Sequence, residues 1–397
     1  MNLLELKNKS KSKTYILSHL PKNLSDLIGG NKKVQYKNRN LKTAYLIDIV
    51  HVLIKKYYYV EKSLFNLNSV ILREKYGTHY NFYMDYLIEN KIIKMVSNYY
   101  VGKKSKTYMI LPRTLRGIIS VKNSDAILMK KYRKFFTVNY LKNLNYKFIE
   151  LDLMIKIVEN LDKVSIDYVG ADDYINTLKL NKNQYTKNTH SIQCMKHHDM
   201  WFKFDRYGRF HSNLTTLKSG VRDQFLLIDG EPTKEIDITN SQPIFLTHLM
   251  SKHLDKVDIE EYEFFKQLVV NGQLYKYMSI NTGILGRKEI KKLMYTVFFG
   301  TNHLNKKENK LFNKLFPSIF SFIRLYKKEK DNYKALAYEL QRSESNLLFN
   351  SIIKDIIEKY TDLPFFTVHD SITVKNSDYN KVKEIFDINI NNLHENL

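Results

Sequence analysis

The stretch FFTVHDSITV, residues 365–374, decides how this chain is read. Two short apolar, β-branched runs flank His369 and Asp370, a pattern that predicts a hairpin carrying a bare carboxylate at its tip. One aspartate in such a place is an ordinary turn or edge residue, so its meaning depends on a second. KEIDITNSQPIFLTHLM, residues 234–250, supplies one: a short β-like run holds Asp237 and leads into apolar residues compatible with a helix. Two acids on adjoining strands could hold Mg²⁺. Hard divalent cations take oxygen ligands, and a pair of ions about 4 Å apart activates an attacking hydroxyl and steadies a leaving pyrophosphate.

Between the two acids lies GRKEIKKLMYTVFFG, residues 286–300, long enough for four helical turns ending at a glycine. Arg287, Lys291, Tyr295 and Phe299 recur at i, i+4 spacing and form one stripe, while Ile290, Leu293, Met294 and Val297 lie largely elsewhere. A face that is basic at its start and aromatic at its end suits a triphosphate on its cations and a base or sugar on its rings. A solvated basic face with two half-buried aromatics is the plainer reading of the same spacing.

Composition narrows the partner class. The 64 Lys and Arg against 41 Asp and Glu give a formal charge of +23 across 397 residues, and 29 Tyr and 22 Phe offer faces for base stacking. A polyanion is the expected partner, although an AT-rich genome imposes the same excess of Lys, Asn, Tyr and Ile. The length allows two or three domains at about 150 residues each. No apolar run reaches the roughly 18 residues of a membrane span, and the first 30 residues lack the apolar block of a signal peptide, so a cytoplasmic protein without membrane association is expected. The single Cys194 can form no internal disulfide. With His197 and His198 as neighbours and no second ligand pair, it does not read as a metal site.

Residues 1–45 are polar and basic and predict a partly ordered arm. A helix is expected from Leu46 to about Lys56. Residues 68–111 then read as a short helix opening at Asn68 or Ser69, a turn near Gly77, a second helix from about His79 to Glu89, and two β-runs flanking the basic tip Gly102 to Lys106. That order resembles a winged helix-turn-helix, in which the second helix enters a groove and the wing meets phosphates. The resemblance implies Tyr80, Lys103, Lys104 and Lys106 as nucleic-acid contacts. Residues 115 to about 195 carry helical patterns with the basic start MKKYRKFF.

The three site stretches are similar to motifs of family A DNA polymerases and of their relatives, the single-subunit phage-type RNA polymerases. Arg287, Lys291, Phe299 and Gly300 stand at the spacing of the family's fingers helix. Asp237 with His248-Leu249 resembles the first palm motif, and His369-Asp370-Ser371 the second. In the right order, YGRFHSNLTTLKSGVR (207–222) is similar to the segment preceding the palm, and ELQRSESNLLFNSIIK (339–354) to the Gln-bearing helix before the His-Asp hairpin. The resemblance spans about residues 205–375.

What it implies is an α+β right-hand polymerase: a palm with an antiparallel sheet and helical fingers and thumb, preceded by the small winged-helix-like domain. The expected layout is an arm at 1–45, the winged domain at 46–114, a thumb-like helical region at 115–200, and palm and fingers at 201–397, without a proofreading exonuclease. Asp237 and Asp370 would hold two Mg²⁺ ions, for which Mn²⁺ could substitute. Arg287 and Lys291 would meet the triphosphate, while Tyr295, Phe299, Gln242 and His369 would line the nucleotide and primer end. Arg209 and Gln341 would touch a primer-template duplex. Gln242 replaces the family's usual Glu, Phe299 its usual Tyr, and Ser371 matches the RNA enzymes, so the sugar is open. The expected activity is templated addition of dNTPs to a primer. A primer-independent RNA polymerase or primase, an inactive DNA-binding replication initiator and an untemplated terminal transferase are the alternatives, and a phage or mobile element is the natural setting.

Overall fold

In a computed structural model the protein is described over residues 15–28, 30, 32–59, 64–98, 105–111, 118–133, 144 and 147–395. It is a mixed α+β chain with antiparallel sheets. Contacts divide it into two compact units between which the chain passes several times. Among the described residues no helix is long and apolar enough to cross a membrane.

The first unit comprises Met1–Lys142, Ile166–Met200 and Thr216–Val221. Where an arm was expected, residues 16–42 form regular structure. The strand Ile16–Pro21 is wholly buried against Ile118–Asn123, the helix Lys22–Ile28 follows, and a hairpin pairs Lys33–Tyr36 with Arg39–Lys42. Lys37 and Asn38, at φ 45° and 58°, make the left-handed two-residue turn that matches strand twist. Leu17, Leu20, Leu24 and Ile28 supply enough apolar surface to order a segment whose overall composition is polar.

The helix Thr43–Tyr59 is followed by the strand Leu64–Asn66, the helices Ser69–Tyr76 and Tyr80–Glu89, and the strands Ile93–Ser97 and Thr107–Ile110. The expected boundaries hold for local reasons. The Asn68 side chain accepts the Val70 N–H at 2.8 Å, capping the first of the two short helices, and Gly77 at φ 90° takes a backbone conformation closed to side chains. The three strands form one sheet with Thr107–Ile110 in the centre. Leu46, Val50, Leu53, Met84, Leu87 and Ile110 pack beneath it.

The second unit comprises Asn143–Ser165, Trp201–Thr215 and Arg222–Leu397. Its sheet runs Phe365–Val368, Ser371–Lys375, Glu231–Asp237, Leu226–Ile228 and Val164–Ile166 in spatial order. The stretch 115–200, expected to be helical, thus also contains the strands Ile118–Asn123 and Val164–Ile166. A short hairpin, Phe202–Phe204 with Phe210–Ser212, and a series of helices from Ser241 to Glu395 complete the unit. Aromatic packing sets the helix Arg287–Phe299: Phe298 meets Phe312 at 6.1 Å between ring centroids, and Phe312 meets Phe316 at 5.4 Å. At the helix's C-terminal end the buried Lys327 donates to Val297 O at 2.8 Å, to Gly300 O at 2.9 Å and to Asn302 Oδ1. The Val297 carbonyl also accepts from Asn302 Nδ2 at 3.1 Å, so the lysine and the asparagine together satisfy the end of the helix.

Candidate functional site

A cleft of about 840 Å³ in the second unit is lined by Asp237, Asp370, Arg287, Lys291, Tyr295, Phe299, Gln242, His369 and Arg209. Nine residues singled out in the sequence therefore share one cavity, although they come from four separate stretches of chain.

The acids are placed by strand pairing. In Glu231–Asp237 the alternation sends Ile236 to the core and leaves Asp237 exposed at the strand end. Asp237 stands opposite Ser371 in the register, so Asp370 is the neighbour in chain of its cross-strand partner. Val368 and Ser371 close the other hairpin, leaving His369, at φ 58°, and Asp370 as its two turn residues. The buried strand Phe365–Val368 anchors that turn.

Charge at this corner is unbalanced. Although Asp237 keeps an exposed surface, desolvation at the cleft wall, with the negative charges of Asp370 and Glu235, pushes its carboxyl up to about 6, against the pull of Lys291. His369 is driven the other way: desolvation and the positive charges of Arg209 and Arg222, with the nearby His211, push its imidazole down to about 4, which leaves it neutral at neutral pH, Asp370 opposing. The His211 ring lies edge-on to it, 6.0 Å away between centroids.

The same cleft is lined by the stripe of the helix Arg287–Phe299. Ile290, Leu293, Met294, Val297 and Phe298 are buried, so the remaining face carries the cations and rings. Tyr295 and Phe299 stack at 5.1 Å and 23° between ring planes. The Lys291 ammonium lies 5.6 Å from the Tyr295 centroid, and the Arg287 guanidinium 5.5 Å from that of Tyr275.

The floor contains a residue not foreseen from the sequence. Glu344, 1% exposed, accepts from Arg209 Nε at 3.0 Å, from Ser241 Oγ at 2.6 Å and from Gln242 Nε2. Burial pushes its carboxyl above the usual range, with Arg209 opposing and Asp370 adding to the rise. Gln242 is accordingly buried with its amide nitrogen engaged, and its Oε1 has no partner among the described residues. The available signal was spacing: Glu344 lies one helical turn after Gln341. Gln341 itself is half-buried and does not line the cleft. Glu235 was also missed, although it shares a strand face with Asp237 two residues on; Ser371 Oγ donates to it.

The remaining expected contacts lie in the first unit. Tyr80, foreseen as a nucleic-acid contact, is 9% exposed and belongs to the core, because the helix Tyr80–Glu89 turns Tyr80, Tyr83 and Leu87 inward at i, i+3, i+7 spacing. Lys106 is half-buried, and its carbonyl accepts the Leu67 N–H at 3.2 Å. Lys103 and Lys104 lie outside the described residues.

Among the described residues no third His, Cys, Asp or Glu joins Asp237 and Asp370 in a ligand cluster. Two carboxylates side by side at the cleft could nevertheless hold Mg²⁺, which binds through one or two carboxylates and takes its other ligands from water and phosphate. No protein-family model matches the chain, and no curated protein does.

Proposed function

We propose that the second unit is a family A-like right-hand polymerase core that adds deoxynucleotides to a primer 3′-hydroxyl under direction of a template. One observation carries this reading: strand register sets Asp237 beside Asp370 in the same cleft as the Arg287, Lys291, Tyr295 and Phe299 face. Mg²⁺, when bound, supplies activation of the attacking hydroxyl and neutralisation of the departing pyrophosphate. Asp237 and Asp370 hold the metal. Arg287 and Lys291 attract the triphosphate, and the Tyr295–Phe299 stack offers a platform to base and sugar. Neutral His369 and Arg209, which also line the cleft, position the primer end.

The first unit's order of helix, strand, two helices and two strands supports a winged-helix nucleic-acid-binding role. The charge of +23 favours the same partner.

Ribonucleotide addition is the second reading. It is favoured by Gln242, whose amide is held by Glu344 instead of standing as a free acid, and by Ser371 after the His-Asp pair. Extension of a labelled recessed primer on defined templates, with Mg²⁺ and dNTPs or NTPs supplied singly and together, separates them. Template-matched addition of dNTPs that is lost in Asp370→Ala establishes the first. NTP addition without a primer establishes the second, and addition regardless of template indicates a terminal transferase. Tight binding without incorporation under any condition ends the polymerase reading and leaves an initiator-like binding protein.

A further inference from the structure

The first unit contains a cluster that the polymerase reading does not use. His190 and Cys194 lie one turn apart on the helix Lys182–Lys196, with Cys194 Sγ 3.7 Å from His190 Nδ1 and 3.8 Å from Nε2. Across from them the strand Ile16–Pro21 presents His19, whose ring centroid is 4.1 Å from that of His190. One ligand atom from each of His19, His190 and Cys194 falls within 4.8 Å of the other two, and all three residues are buried.

His19 is arranged as metal-ligating histidines are. Its Nδ1 pairs with Ser120 Oγ at 2.8 Å, and Ser120 is its cross-strand partner in the register. Its backbone N–H donates to His51 Nδ1 at 2.9 Å. Its Nε2, in a side chain 3% exposed, has no hydrogen-bond partner among the described residues. With Nδ1–H donating to the serine, the lone pair is at Nε2, the nitrogen left over. A hydrogen bond between one ring nitrogen and a neighbouring side chain commonly fixes the tautomer and orientation of a ligating imidazole. An orphaned buried acceptor is otherwise costly, and a core with no use for one would fill the space with aliphatic side chains.

We infer that His19, His190 and Cys194 bind one Zn²⁺ ion, through His19 Nε2, an imidazole nitrogen of His190 and the Cys194 thiolate, and that this ion ties the strand Ile16–Pro21 to the helix Lys182–Lys196. One thiolate and two imidazoles are the donor set of a borderline-soft, four-coordinate ion, with the fourth position left to water. Zn–N of about 2.0 Å and Zn–S of about 2.3 Å place tetrahedral ligand atoms roughly 3.3–3.6 Å apart, so small side-chain rotations close the site. Burial also keeps the His19 and His190 imidazoles neutral, the form that offers a lone pair. Binding releases the thiol proton to solvent, and no redox change is involved. His197 and His198, the histidines nearest Cys194 in sequence, are not part of the set: the helix ends at Lys196, and His198 takes a left-handed φ of 50°.

The test uses the full chain, stripped by chelator. Titration with Zn²⁺ against a chromophoric chelator is expected to show one equivalent bound, and Co²⁺ to give a thiolate-to-cobalt charge-transfer band, which the oxygen ligands of Asp237 and Asp370 cannot produce. Because Cys194 is the only cysteine, Zn²⁺ is expected to slow its alkylation in wild-type protein, a readout that needs no variant. Cys194→Ser should abolish the band, Ser120→Ala should weaken Zn²⁺ by roughly 10–100-fold, and the double change His197→Ala with His198→Ala should leave binding unchanged. No charge-transfer band and no protection of the thiol in wild-type protein, or a band that survives His19→Gln together with His190→Gln, would overturn the assignment. None of these readouts depends on nucleotide incorporation.

Discussion

Glu344 and Arg209 meet in the floor of the cleft, with Nε donating to the carboxylate at 3.0 Å, and the Glu344 side chain is 1% exposed. Three donors converge on this acid, from Arg209, Ser241 and Gln242. Removing it leaves a guanidinium whose side chain is only 19% exposed facing an empty hole. Glu344→Ala should therefore cost about 3–5 kcal/mol of stability, and Glu344→Gln, which keeps the volume and one acceptor, distinctly less. Urea denaturation of the three proteins measures this, and a loss under about 1 kcal/mol for the alanine variant would show that the pair is not holding the floor.

On the proposed polymerase reading, Asp237→Ala and Asp370→Ala should each slow primer extension by at least ~10³-fold, or about 4 kcal/mol of barrier, since each would remove an anionic metal ligand. Affinity for primer-template should change little, because cations and rings carry it. Single-turnover extension beside a binding titration distinguishes the two effects; near-normal extension by either variant refutes the metal assignment.

The acid pair also sets a pH dependence. The Asp237 carboxyl is raised to about 6 in the fold, above its ordinary value, so the native state holds its proton more tightly than the unfolded chain does. Without metal, this contribution to stability is present below about pH 4 and is lost as pH rises through 6. Mg²⁺ requires the carboxylate, so the rise in Tm on adding Mg²⁺ should be small at pH 5 and grow through pH 6 to 7.5. Asp237→Asn should flatten that profile, and an unchanged profile in the variant would assign the titration to another group.

Lys327 holds the end of the helix that carries Phe299, through the carbonyls of Val297 and Gly300. Lys327→Met keeps the bulk but removes the ammonium donor from both carbonyls, leaving Val297 O only its Asn302 Nδ2 bond, at a cost of roughly 1–3 kcal/mol. Hydrogen exchange should quicken in the last turn of Arg287–Phe299 before it does elsewhere in the helix. Uniform exchange would mean that Phe298 packing alone anchors this end.

Tyr295 is 38% exposed at the cleft and stacked on Phe299; on the proposed polymerase reading its ring would limit the room beside the nucleotide sugar. Tyr295→Ala should raise kcat/KM for NTPs relative to dNTPs by on the order of tenfold, with Tyr295→Phe close to wild type. If the ratio does not move, sugar choice lies elsewhere, and the Gln242–Glu344 pair is the next place to look.

Much of the site could be read in the sequence because its signals are local. The alternation around Asp237, the flanking runs of His369-Asp370, the four-residue spacing from Arg287 to Phe299, and the caps at Asn68 and Gly77 each depend on a few neighbouring residues and their backbone preferences. Tyr80 shows the limit of that reasoning: its helix was foreseen, but which face turned inward depended on the sheet packed against it.

The sequence by itself therefore determined several of the elements at the cleft and the residues each presents, although strands formed at Ile118–Asn123 and Val164–Ile166 where helices were expected. Tertiary structure decided what they face. Register placed Asp370 beside Asp237, a helix distant in sequence delivered Glu344 to Arg209, and a strand near the start of the chain delivered His19 to His190 and Cys194. Such meetings leave no local periodicity to read, because they arise from burying apolar faces of remote segments against one another, and that burial selects one register and one packing from many that the local signals allow.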